Sequence, residues 1–212
     1  MDDTGFLKKG AHSVGVARQY CGKLAKQENC HVAVSLSAST NTASRPIAFC
    51  LYLPEGWATD AERRKEGSIP EQVRFRTKPQ TALQQIRQAA QDEVPQAPVL
   101  ADAGYGIDSQ FCAGITELGL PYVVGVQSTT SVWVPGTAPL PAKPWSGQDR
   151  PPRLLRRNKN HQPLSARALA LSLPATTWKT ITWRAGTKQP LRSRFAVAFV
   201  NSIWVWLFWN DA

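Results

Sequence analysis

Residues 97–127 contain a short apolar segment, an amphipathic segment and a second short apolar segment. The first, APVLADAGYG, has strand character up to Asp102 and then enters a glycine-rich turn. Residues 109–120 predict a helix, and PYVVGVQ (121–127) predicts another buried strand. A strand–helix–strand connection of this length forms a right-handed crossover and makes its two strands parallel. This unit restricts the chain to an α/β fold.

Three β-rich segments precede that unit. HSVGVARQYCG (12–22), HVAVSLSAS (31–39) and RPIAFCLYLP (45–54) are separated by short links, which favours an antiparallel meander. Two helical segments follow at 57–67 and 78–94. The order is three strands, helix, strand, helix, strand, which predicts one mixed α/β sheet with flanking helices.

The rest of the chain differs in composition. We expect three parts: a core over 1–127, a proline-rich basic loop or insertion over 128–176, and a β-rich C-terminal segment over 177–212 that ends in an aromatic tail. The tail contains Trp204, Trp206, Phe208 and Trp209, which could complete a core strand or be exposed.

The charge distribution indicates a polyanionic partner. The net charge is +10, from 25 Lys+Arg and 15 Asp+Glu, and no carboxylate occurs between Arg150 and Asn210. Such a surface is typical of nucleic-acid binding, although a solvated basic tail is the alternative for 150–165. The longest apolar run is much shorter than a membrane span, so we expect no membrane association and a cytoplasmic location.

Acidic residues lie at two distant places that the predicted sheet brings together. Asp2 and Asp3 stand before the meander, and Asp102 ends the later strand. In a sheet of this order the first and fourth strands are neighbours, so these carboxylates would converge. Converging carboxylates suit Mg²⁺, and paired metals of this kind support phosphodiester chemistry.

The stretch DDTGFLKKGAHSVGVARQYCGKLAKQENCHVAVSLS, followed in order by VLADAGYG, YVVGVQ and WRAGT…LRSRFA, resembles the DDE transposases of bacterial insertion sequences. The resemblance extends from residue 2 to about residue 199. It implies a ribonuclease H-like fold in which three acidic residues bind two divalent ions, Mg²⁺ or Mn²⁺, to cut transposon ends and join them to target DNA. It further implies a nucleoid-associated protein that could form a homo-oligomer.

The resemblance assigns candidate site residues. The first acid is Asp2 or Asp3, with Asp2 favoured as the metal ligand because Thr4 follows at the second position, and the second acid is Asp102. Lys8 and Lys9 would contact DNA near the site, or else be solvated loop lysines. Arg153, Arg156 and Arg157 are further candidate DNA contacts in the basic region.

The third acid of the family has no counterpart. The family's glutamate lies beyond the WRAGT strand, where this chain has no carboxylate between Asp149 and Asp211. Glu117 and Asp149 are the remaining downstream acids, on a helix and in a proline-rich loop. The strand that delivers the first aspartate is also expected to be missing, so that Asp2 and Asp3 lie in a loop. We therefore expect a transposase truncated at both ends, with weak or absent catalysis by this chain alone.

Two other interpretations stay open. One is a non-catalytic DNA-binding or regulatory product of a truncated transposase, favoured by the acid-free basic region. The other is an unrelated metal-dependent phosphohydrolase, which would also place two aspartates at strand ends but would not explain the long SVGVARQYCG match.

Overall fold

The computed structural model describes residues 1–40, 42–134, 136–148, 150–151, 153, 156–184, 189–200 and 203–209. They form a mixed α/β protein that divides into two units, 1–126 and 127–212. The finer division into 1–127, 128–176 and 177–212 stays a prediction. The elements are β1 (Asp2–Leu7), β2 (Ala17–Cys21), β3 (Lys26–Ser39), β4 (Ser44–Leu51), α1 (Glu55–Thr59), α2 (Ala61–Glu66), α3 (Lys78–Gln91), β5 (Val99–Ala101), α4 (Ala103–Gly106), α5 (Ser109–Glu117), β6 (Tyr122–Val124), β7 (Ser131–Val132), β8 (Leu164–Ser165), α6 (Ala166–Ser172), β9 (Lys179–Arg184), β10 (Leu191–Val200) and β11 (Ile203–Trp209), with 3₁₀ turns at Gly22–Leu24 and Ala175–Thr177.

The long strand β3 organises the first unit. Its 14 residues pair antiparallel with β1 along one edge, and with β2 and then β4 along successive parts of the other edge. Cys30, Val32 and Val34 are all buried, which is the period of two expected of a strand with one covered face. The three predicted strands are present and β2 and β4 each pair antiparallel with β3, but the predicted meander is wrong, because β2 and β4 lie on the same edge of β3 and β1 occupies the other edge.

Helix α3 covers part of this sheet. It begins at a capping box, in which the Thr77 hydroxyl accepts from the Gln80 amide and the Gln80 side chain accepts from the Thr77 amide. Its buried face includes Ala82 and Ile86, which belong to the same core cluster as Val34. The Gln85 side-chain amide donates to the Val34 carbonyl oxygen at 3.1 Å, so the helix is also fixed by a buried hydrogen bond.

The predicted crossover unit is present. Strands β5 and β6 pair in parallel, from Val99 opposite Tyr122 to Ala101 opposite Val124. Helix α5 lies between them in sequence and packs closely on α3, because a Cβ at Gly114 would overlap the side chain of Leu83. The buried residues Phe111 and Ile115 of α5 join the main core of the unit.

Three further expectations about the first unit were wrong. Residues 2–7 form strand β1 and not a loop, because all six pair with residues 30–35 of the long strand β3. The strands do not form one continuous mixed sheet among the described residues, since β5 and β6 make a separate two-stranded sheet. The helix predicted over 57–67 is divided at Asp60, whose extended backbone ends α1 and whose side chain caps α2.

The second unit is rich in antiparallel strands. β9, β10 and β11 form a three-stranded sheet in that order, and β7 pairs with β8. Helix α6, which the sequence did not predict, begins with Ser165 as its cap and buries Leu169 against Val132 and Ala196. No helix in the described parts of the chain is long and apolar enough to cross a bilayer.

Candidate metal centre

Asp2 and Asp3 are held by the first strand. In the β1–β3 ladder Asp2 lies opposite Ser35 and Asp3 opposite Val34, and the Ser35 hydroxyl donates to the Asp2 carbonyl oxygen at 3.2 Å. The Asp3 amide donates to Asp2 Oδ1 at 2.8 Å. That bond turns the Asp2 carboxylate toward the Asp3 backbone, and oxygens of these two successive residues lie near one place although strand side chains normally alternate in direction.

Asp102 is held by the turn that follows β5. It is the cap of α4, and its Oδ1 accepts from the Gly104 amide at 2.9 Å. The turn packs tightly against the residue that follows β6, and a Cβ on Gly106 would overlap the carbonyl oxygen of Gly125. A glycine at 106 is therefore required for the turn to hold Asp102 in this position.

The two acidic segments meet. The amino nitrogen of Met1 donates to the Leu100 carbonyl oxygen at 2.7 Å, which joins the start of β1 to β5. One carboxylate oxygen from each of Asp2, Asp3 and Asp102 lies within 4.8 Å of the other two. We call these three residues the carboxylate cluster; Asp2 and Asp102 are exposed in it, and Asp3 is half-buried.

The donor set of the carboxylate cluster fits a hard divalent cation. Mg²⁺ takes oxygen ligands at about 2.1 Å, so oxygens on opposite sides of one ion are about 4.2 Å apart, and small side-chain movements would bring the cluster to that spacing. Two of its carboxylates face solvent and could keep water in the remaining positions. The individual metal-binding roles of Asp2, Asp3 and Asp102 stay predictions.

A buried phenol lies close to the cluster. Tyr105 is 2% exposed, its ring packs on Phe111 with centroids 5.6 Å apart, and its hydroxyl has no hydrogen-bond partner within the described residues. Burial raises the pKa of Tyr105 well above its ordinary value, and the negative charges of Asp3, Asp102 and Asp2 raise this pKa further. The phenol therefore holds its proton more firmly than an exposed tyrosine would.

Among the described side chains, one cation forms an ion pair with the cluster. The Lys78 ammonium, on the first turn of α3, forms an ion pair with Asp3 Oδ2. It also lies 5.6 Å from the centre of the Tyr52 ring, within range of a cation–π interaction. Lys78 thus neutralises one of the three carboxylates. Lys78 was not among the site residues predicted from the sequence.

The other acids considered for the third position do not join the cluster. Glu117 lies on α5, is exposed and pairs with Arg87 at 3.6 Å. Asp149 and Asp211 lie outside the described residues, as do Ala185 and Gly186 of the WRAGT segment. Within the described part of the chain, the third carboxylate near Asp102 comes from the adjacent pair Asp2 and Asp3 and not from a downstream glutamate.

The candidate DNA-binding residues are on the surface. Lys8 and Lys9 are exposed just after β1, and Asn29 holds the intervening backbone by donating to the Lys8 and Gly10 carbonyl oxygens at 2.8 and 3.0 Å. In the second unit Arg153 and Arg157 are exposed. The Arg156 side chain donates through Nε to the Pro141 carbonyl oxygen at 2.8 Å and so helps to hold its own loop.

The sequence contained a weak signal for the residues that were missed. Lys78 follows Thr77, a recognisable helix cap, so its place on the first turn of α3 could be predicted, but its partner Asp3 is 75 positions away. Tyr105 lies in the glycine-rich turn that the sequence predicts after Asp102. Its buried, unpartnered hydroxyl depends on packing against Phe111 and could not be read from the sequence.

Comparison with known proteins gives two matches. The model of the family described as DDE superfamily endonuclease matches residues 1–190. A protein of Microchaete diplosiphon named "probable transposase for insertion sequence element IS701" is 33% identical over 129 residues, which are 60% of this chain and 31% of that protein. The chain therefore spans about a third of the length of this curated relative. No solved structure matches the chain.

Proposed function

This chain belongs to the DDE superfamily of endonucleases, and from this membership we propose that it carries the metal-dependent DNA cleavage and strand-transfer site of an insertion-sequence transposase, on a ribonuclease H-like core. The observation that carries the proposal is the carboxylate cluster, in which Asp2, Asp3 and Asp102 place oxygens within 4.8 Å of one another. Its DNA partners would be transposon ends and a target site, and we place the protein at the bacterial nucleoid, with a homo-oligomer as the working assembly.

Divalent ions, Mg²⁺ or Mn²⁺, would activate a water or a 3′ hydroxyl and stabilise the leaving oxygen in this chemistry. Asp2 and Asp102 are the ligands we favour, because both carboxylates are exposed and neither is among the ion pairs of the described residues. Asp3 Oδ2 is already paired with Lys78, so Oδ1 is the Asp3 oxygen that could bind a metal ion.

The chain's own residues prepare the site. The β1–β3 ladder and the hydrogen bond from the Gly104 amide orient the acids. Because ligands that are held in place lose little entropy on binding, this support is what a metal site needs. We expect the family's third acid to be replaced here by the second aspartate of the Asp2–Asp3 pair.

The direct test is a nicking and strand-transfer assay of the purified chain on duplex DNA in Mg²⁺ and Mn²⁺. Because no downstream glutamate joins the described cluster, we expect weak or absent activity, and we expect Asp102→Ala to abolish whatever activity is present. Nicking that survives in Asp102→Ala would contradict the proposed site.

A second candidate function is non-catalytic DNA binding that regulates transposition. The observation in its favour is the basic region without carboxylates between Arg150 and Asn210, in which Arg153 and Arg157 are exposed. DNA binding by the chain together with no cleavage in either metal would favour this candidate over the first.

A further inference from the structure

The carboxylate cluster concentrates negative charge, and Lys78 is the one described side chain that forms an ion pair with it. Three carboxylates share a region less than 5 Å wide. Like charges at this separation repel strongly unless a cation lies among them. In the protein without bound metal, the Lys78 ammonium fills part of the role that a divalent ion would take.

Lys78 is placed so that it can leave Asp3 without moving its helix. The capping box of Thr77 and Gln80 fixes the backbone at the start of α3. The Lys78 and Asp3 side chains retain about a quarter of their accessible surface, so the pair faces solvent on one side. A lysine side chain has several rotatable bonds and a compact charge, so it can change partners by rotation alone.

The Tyr52 ring gives the ammonium a second surface near its present position. The ring centre is 5.6 Å from Lys78 Nζ, and Tyr52 directly follows β4 on the edge of the sheet. A cation released from Asp3 would therefore stay beside the cluster. The anion that DNA would bring to the same place is a phosphodiester, for which lysine is a common ligand.

We propose, on the basis of the proposed function, that Lys78 is a displaceable countercation of the cluster. Its ammonium neutralises Asp3 when no metal is bound, yields that carboxylate to a divalent ion, and then binds a phosphate of the DNA strand at the site. Lys78 is thus a positioning residue that couples metal binding to DNA binding.

Mn²⁺ binding to the whole chain, followed by electron paramagnetic resonance, tests the first half of the proposal. Lys78→Met removes the competing cation and should bind Mn²⁺ about tenfold more tightly than the wild type, while Lys78→Arg should stay close to the wild type. Lys65→Met, at an exposed lysine of α2, is the matched control and should change the affinity by less than about twofold. Lys78→Gln serves if the methionine variant does not fold.

Binding of a short random duplex with Ca²⁺ present tests the second half. Lys78→Met should lower the affinity about tenfold and reduce the slope of log affinity against log salt by about one, as expected for one lost phosphate contact. Lys78→Arg should retain most of the affinity. Equal duplex affinities for Lys78→Met and Lys65→Met would overturn the phosphate contact.

The same titrations separate a failure of this proposal from a failure of the proposed function. If Asp102→Asn weakens Mn²⁺ binding but Lys78→Met leaves it unchanged or weaker, the countercation role is overturned and the metal site is not. If Asp102→Asn has no effect on Mn²⁺ binding, the proposed function fails and the proposal for Lys78 fails with it.

Discussion

The buried hydroxyl of Tyr105 affects the stability of the fold. Its hydroxyl is buried and unpartnered within the described residues, and an unsatisfied buried polar group costs free energy. In the metal-free protein we expect Tyr105→Phe to leave the free energy of unfolding unchanged or to raise it by up to about 1 kcal/mol. Urea unfolding of both proteins measures this. A loss of more than about 1 kcal/mol would mean that the hydroxyl has a stabilising partner.

The same residue predicts a dependence of stability on alkaline pH. Burial, with the nearby aspartates, raises the pKa of Tyr105 in the folded chain, whereas a tyrosine in the unfolded chain has a pKa of about 10. Below that pH both states keep the proton, and stability is unaffected. Above it only the unfolded state loses the proton readily, so stability falls as the pH rises.

Urea midpoints at pH 8 and pH 11 check this dependence. The wild type should lose more stability than Tyr105→Phe over this interval. Burial also raises the pKa of Tyr52, but Tyr52 is present in both proteins, so the difference between them isolates Tyr105. Equal losses would contradict the pKa shift of Tyr105.

At the scale of elements, the turn after β5 determines where Asp102 lies. Gly106 has no room for a Cβ because the carbonyl oxygen of Gly125 occupies that space. Gly106→Ala should therefore displace the turn, lower stability by about 1–3 kcal/mol and weaken divalent-metal binding. Gly56→Ala, at a helical glycine with open space around its Cα, is the matched control and should be neutral or slightly stabilising. Metal binding by Gly106→Ala at the wild-type affinity would contradict this view of the turn.

The first turn of α3 positions Lys78 for its ion pair with Asp3. Thr77→Ala removes the hydroxyl that accepts from the Gln80 amide, and loss of such a cap costs about 1 kcal/mol. We expect that loss in urea unfolding together with a measurable change in Mn²⁺ affinity, because the Lys78–Asp3 pair depends on the helix start. Thr77→Ser keeps the cap and should behave as the wild type. If Thr77→Ala matched Thr77→Ser in both measurements, the capping box would not be important for the site.

Elements with local signals could be predicted from the sequence, and those that depend on distant partners could not. The parallel pair β5–β6, the start of α5 after Asp108 and the antiparallel pairing of β2 and β4 with β3 follow from apolar periodicity and capping residues. By contrast, β1 exists because residues 2–7 pair with residues 30–35 of β3. Nothing within DDTGFL specifies that ladder, so the stretch was interpreted as a loop.

At the scale of the whole molecule, charge and family membership point to the same partner. The net charge of +10 and the carboxylate-free basic region predict salt-dependent DNA binding. Arg153 and Arg157 are exposed and in the same unit. Replacing both by Gln should reduce the slope of log affinity against log salt by about two, if each contacts one phosphate.

The double variant Lys8→Gln with Lys9→Gln removes the same amount of charge from the first unit. Comparing the two double variants shows whether DNA binding depends on the basic region or only on the net charge. If both double variants lowered the slope by the same small amount, the basic region would have no special role in binding. The carboxylates converge as expected, but not for the expected reason, since Asp2 and Asp3 lie on the unpredicted strand β1 and β5 belongs to a separate sheet. The Lys78–Asp3 pair was not predictable, because it depends on the packing of α3 against the sheet.

Mn²⁺ affinity shows whether Asp2, Asp3 and Asp102 form a divalent-metal site. Asp102→Asn removes a charge but keeps an oxygen that can accept from the Gly104 amide, and Asp60→Asn makes the same change at the cap of α2. We predict that Asp102→Asn weakens Mn²⁺ binding at least about tenfold, since ligand charge sets the affinity, and that Asp60→Asn does not. Equal affinities for the two variants would contradict the account.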